Sequence, residues 1–192
     1  MKRYLLLVTV AMVVVAMLLT GCDNTTAQAN AFIGQADAHM KKVMSLGDEA
    51  AAFEQQLNSL DGSPASAAQG LELITQVKGK LAQQKTEMEG AKAAYAGVDK
   101  IDVKPAVKRY VKLESAVIDL GIQRNAEYVK LYDAMAVMFT GIRDNNATEQ
   151  QTAAFLAASD AITANVDALN VKVQQASDDA LAYYQANVAA KK

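Results

Sequence analysis

The chain has 192 residues, a mass of 20.5 kDa and a hydrophobic share of 52%, with two prolines, one histidine, one cysteine and no tryptophan. One histidine and one cysteine exclude most metal-dependent and thiol chemistry, and two prolines argue against a loop-rich or all-β fold. A formal charge of −2 is too small for a nucleic-acid binder, which carries a clustered basic surface, so no nucleic-acid partner is expected.

Lys2 and Arg3 open the chain, and an apolar run from Tyr4 to Leu19 follows, interrupted only by Thr9. It ends in Leu19-Thr20-Gly21-Cys22, and polar Asp23-Asn24-Thr25-Thr26 comes directly after. A charged start, an apolar stretch and small residues at its end mark a secretory signal over residues 1–21. A spanning helix is the competing reading, but the run stands at the short limit for crossing a bilayer.

Leu19-Thr20-Gly21-Cys22 resembles the lipobox of bacterial lipoproteins. The resemblance covers these four residues and their apolar lead, and it leaves the family of the mature domain open. It implies cleavage before Cys22 and a diacylglyceryl group on its sulfur. Two or three acyl chains, at about 0.8 kcal/mol per buried CH2, anchor stably where one does not. A cell-membrane location follows, lipid-anchored and facing the periplasm or the cell exterior. Asp23 directly after the cysteine is similar to the inner-membrane retention signal of enteric lipoproteins.

Residues 22–26 then form a short tether and 27–192 one domain. Without the leader, 171 residues remain with 17 basic and 21 acidic side chains, and 35 of them are alanine, the best helix former. Three breaks divide this stretch. Asp61-Gly62-Ser63-Pro64 is a turn, with Ser63 as N-cap and Pro64 at the first helical position. The second runs from Val98 to Lys104, with Gly97 suited to a helix end and Pro105 to the next start. Asp144-Asn145-Asn146-Ala147 is the third, and Thr148 to Gln151 reads as a capping box. Helices are therefore expected over 27–60, 64–97, 105–144 and 149–190.

Apolar residues recur every three or four positions in each, for example Ile33, Ala36, Met40, Val43, Ala50 and Leu57, or Tyr128, Leu131, Met135 and Met138. Short connections make neighbours antiparallel. The expected fold is all-α, an elongated up-down-up-down four-helix bundle.

Basic residues gather near the anchored end, among them Lys92, Lys100, Lys104, Lys108 and Arg109, whereas Asp48, Glu49, Glu54, Asp61, Glu72, Asp144, Glu149 and Asp160 belong to the far end. This predicts a base that favours anionic headgroups, against the simpler reading of charges that solvate helix ends. Tyr95, Tyr110, Tyr183 and Tyr184 share the base, as core rings or as an interfacial belt.

Arg124 falls on the core spacing of the third helix, level with Gln84 and Asn165. These three could form a polar layer or a small anion pocket, unless Arg124 turns outward or pairs with Glu127. His39 beside Met40 and Met44 is the only candidate for metal or haem, but methionine at core spacing is a common packing residue, so no cofactor is expected. One histidine allows no nucleophilic triad, and Asp178-Asp179 diverge on a helix. The sequence thus predicts a non-enzymatic, membrane-anchored adaptor or spacer that binds another envelope component. A ligand-binding module around Arg124 is the alternative.

Overall fold

The computed structural model describes residues 24–189. Cys22 and the leader, with the cleavage and lipidation assigned to them, lie outside the described residues. Among the described residues the chain forms four helices and no strand: α1 (Asn24–Asn58), α2 (Pro64–Asp99), α3 (Pro105–Arg143) and α4 (Glu149–Asn187). The fold is an all-α four-helix bundle. None of the described helices is long and apolar enough to cross a membrane.

Local chemistry places the turns. Gly62 takes φ +80°, which L side chains rarely adopt. Ser63 caps α2, its Oγ accepting from the Ser66 amide at 3.2 Å, while Asp61 Oδ1 accepts from the Ser63 amide at 2.9 Å. Hydrogen bonds from the Ser63 amide first, and then from the Ser66 and Ser63 side chains, hold the exposed Asp61 carboxyl down at about 2. Before α4, Gln151 N–H donates to Thr148 Oγ1 at 3.2 Å and Thr148 N–H donates to Gln151 Oε1 at 2.9 Å, a reciprocal capping box. The end of α3 is a Schellman motif, with the Asn146 amide on Gly141 O at 3.0 Å, the Asn145 amide on Ile142 O at 3.1 Å, and Asn145 left-handed at φ 52°.

Several helix ends differ from the sequence expectation by one to three residues. Helix α1 is already formed at Asn24, three residues before the expected start. Helix α2 runs past Gly97 to Asp99. Gly97 is there for close approach and not as a terminator: a Cβ at this position would stand 2.5 Å from the Phe32 ring. Lys108 Nζ instead caps the end of α2, donating to Asp99 O at 3.0 Å.

Each helix contributes to two compact units. Of the described residues, unit A holds 44–84 and 124–168, and unit B holds 24–43, 85–123 and 169–189. Unit A is centred on Ala50, Leu57, Leu73, Ile74, Val77, Leu81, Tyr128, Tyr132 and Val166. Unit B is centred on Ile33, Ala36, Met40, Val43, Met88, Tyr95, Val98, Tyr110, Val111 and Ile118.

Cross-helix pairs give the topology inside each unit. In unit B, α1 meets α2 at His39–Glu87 and at Phe32–Gly97, so one number rises as the other falls and the helices are antiparallel. In unit A, Gln84–Asn125, Lys78–Asp133 and Gly70–Phe139 show the same relation between α2 and α3.

The core stripe of α3 is rotated from the expected one in unit A. Tyr132, not Leu131, is the buried residue, at 4% exposure, while Leu131, Met135 and Met138 are half-buried. The hydroxyl of Tyr132 has a partner on α1, which lets the larger ring enter the core.

Candidate functional sites

Three polar groupings lie inside the bundle, two in unit A and one in unit B. The first is the layer containing Arg124. Gln84, Arg124 and Asn125 are all buried, at 5%, 8% and 6% exposure. Asn125 Nδ2 donates to Leu81 O at 3.0 Å and to Gln84 Oε1 at 3.2 Å. Burial pulls the Arg124 guanidinium below its ordinary range, and neighbouring Tyr128 opposes that shift. Asn165 does not join this layer. It is exposed on α4 and donates to Glu127 Oε2 at 3.3 Å, while Glu127 Oε1 accepts from Lys130 at 2.5 Å. Gln84 is buried beside Asn125, whereas the rotation of α4 turns Asn165 outward. Asn125 takes its place, a polar residue directly after Arg124 that stands four residues after Gly121 and three before Tyr128.

The second grouping is centred on Glu54. This half-buried carboxylate on α1 accepts a short hydrogen bond from the buried Tyr132 hydroxyl of α3. Burial pushes the Glu54 pKa up and the Tyr132 bond partly offsets it. Burial, followed by the negative charge of Glu54, pushes Tyr132 well above the usual phenol range. Next to the pair is a cavity of about 30 Å³ lined by Glu54, Tyr128, Leu131, Tyr132, Ile162, Thr163 and Val166. Two of these residues, Glu54 and Tyr132, carry no motif in the sequence. A glutamate within a run of helix formers reads as solvent-facing, and only its approach to α3 makes it part of a site.

The third grouping lies in unit B. Glu114 of α3 is half-buried and accepts a hydrogen bond from Tyr110, while Asp37 of α1 faces it with the same sign of charge. Burial first, and Asp37 last, raise the Glu114 pKa to about 7, with the Tyr110 bond opposing. Asp37 is itself raised by burial, partly offset by Lys41. Tyr95 and Tyr110, each 4% exposed, are held above the ordinary phenol range by burial and then by Glu114. The Tyr110 and Tyr184 ring centroids are 5.2 Å apart at 57°. Three of the four tyrosines at this end are thus packing rings around a carboxylate pair, and Tyr183 is half-buried against the same core.

His39 is a bridge between α1 and α2. Its Nδ1 stands 2.6 Å from Glu87 Oε2, and a Cβ on Gly90 would meet its ring at 2.6 Å. Met40 is buried in the unit B core and Met44 is 44% exposed, so the two methionines beside His39 point to different surroundings. Among the described residues no three His, Cys, Asp or Glu side chains are grouped to hold a metal ion.

Comparison with protein-family models, with curated proteins and with solved structures gives no match for this chain.

Proposed function

We propose that this chain is a bacterial lipoprotein, moored through Cys22, whose helical bundle is a non-enzymatic adaptor or spacer binding another component of the cell envelope. The observation that carries the reading is Leu19-Thr20-Gly21-Cys22 at the end of an apolar leader, with Asn24, two residues further along the chain, already in α1. A lipid on Cys22 would then hold the start of α1, and with it unit B, close to the bilayer.

The distribution of charge agrees with that orientation. The described part of unit B carries nine acidic and ten basic side chains, whereas unit A carries eleven acidic and five basic. Anionic headgroups repel the second far more than the first. The all-helical build suits a spacer, since long packed helices convey a fixed separation without a dedicated catalytic cleft.

Mass spectrometry of the chain purified from native membranes tests the anchor. Cleavage before Cys22 and a diacylglyceryl adduct on its sulfur are expected, and Cys22→Ser should release the chain from the membrane fraction. An uncut chain or an unmodified thiol would overturn the reading. Cross-linking in intact cells, followed by identification of the captured envelope protein, tests the adaptor role.

A further inference from the structure

We propose that the Glu54 cavity in unit A is a binding site for a primary alkylammonium group. Its wall combines one carboxylate, from Glu54, with two tyrosines, one threonine and three aliphatic side chains. Tyr128, Tyr132 and Val166 are buried at 6%, 4% and 3% exposure, while Glu54, Leu131, Ile162 and Thr163 are half-buried, so the cavity is closed below and reached from the surface.

The hydrogen bonds leave acceptors unused. Tyr132 takes Glu54 Oε1. Glu54 Oε2, the Tyr128 hydroxyl and the Thr163 hydroxyl enter no hydrogen bond among the described residues. Tyr128 is more than nine-tenths buried as a residue, and its hydroxyl is the part that keeps contact with solvent at the cavity. Three acceptors around one small space match the three donors of an ammonium group. The aromatic rings of Tyr128 and Tyr132 suit a cation as well.

Charge and size select among ligands. An anion would meet the Glu54 carboxylate. A calcium or magnesium ion needs about six oxygen ligands, and a single carboxylate does not supply them. Arg124 is the strongest charge acting on Tyr128, ahead of Glu54 and Asp167, but it does not line the cavity, where Glu54 is the one charged side chain. A volume of about 30 Å³ admits an ammonium nitrogen and its first carbon, and excludes quaternary heads. Such a group ends a lysine side chain and also a small amine such as ethanolamine.

The test uses the full chain in detergent and NMR of its tyrosine rings and methyl groups. Methylammonium should shift the Tyr128, Tyr132 and Val166 signals saturably, whereas acetate and tetramethylammonium should not. Glu54→Gln should weaken the response by roughly tenfold or more, the loss expected for a charged hydrogen bond. Thr163→Val keeps the side-chain shape, should weaken it more modestly, and serves if the first variant does not fold. Ethanolamine and Nα-acetyl-lysine amide separate the two sources: a response to ethanolamine alone assigns a small amine, and an equal response to the lysine probe assigns a partner's lysine. No saturable shift with methylammonium, an equal shift with acetate, or an undiminished shift in both variants would overturn the proposal.

Discussion

Units A and B use the same element, a tyrosine hydroxyl donating to a half-buried glutamate, in different surroundings. In unit A, Tyr132 on α3 serves Glu54 on α1, no second carboxylate stands close, and a cavity remains beside the pair. In unit B, Tyr110 and Glu114 both lie on α3, and Asp37 of α1 adds a second negative charge. Burial first, and Asp37 last, drive Glu114 to about 7, while Glu54 is raised by burial with no carboxylate among the causes. The contrast shows that burial sets the direction for a core carboxylate, that its tyrosine donor opposes the shift, and that a like charge facing it across the bundle adds to it.

The largest expected effect breaks the unit A pair. Tyr132→Ala should destabilise the protein by about 3–5 kcal/mol, because it deletes a core ring and leaves Glu54 without its donor. Tyr132→Phe keeps the ring and should cost only about 1 kcal/mol. Chemical denaturation of both variants separates the ring from the hydroxyl.

The second tests the carboxylate pair of unit B. The Glu114 pKa is raised in the folded state, so the folded chain holds a proton that the unfolded chain has lost. Its contribution is complete below the ordinary glutamate value of 4.5 and fades as pH rises to about 7. That loss amounts to about 3 kcal/mol between the two limits. Glu114→Gln should flatten this part of the stability profile, measured by denaturant midpoints across the pH range. Glu54→Gln should flatten it less.

Gly97→Ala should cost about 1–3 kcal/mol, since the new Cβ would enter the Phe32 ring at 2.5 Å. Gly79 provides the comparison. Nothing stands within 4 Å of a Cβ there, so Gly79→Ala should stabilise by up to about 1 kcal/mol through helix propensity. Opposite signs in thermal melts of these two variants would show that the helix glycines serve different ends. The smallest loss belongs to Thr148→Ala, about 1 kcal/mol for half of a capping box.

What the sequence determined by itself was local. Pro64 with Ser63, Pro105, and Thr148 with Gln151 each act within one turn of helix, so their roles could be read without knowing any neighbour. Alanine content and three-and-four spacing likewise made the chain helical and its short turns made the helices antiparallel. The tertiary structure decided the rotation of each helix about its axis. A change of one residue in register turns a helix by about 100°. Such a turn put Tyr132 in the core in place of Leu131, and Asn125 instead of Asn165 beside Gln84. Glu54–Tyr132 and Asp37–Glu114 join residues far apart in the chain. Each partner alone resembles an ordinary helix-surface residue, and only the burial imposed by the other helices makes its charge consequential.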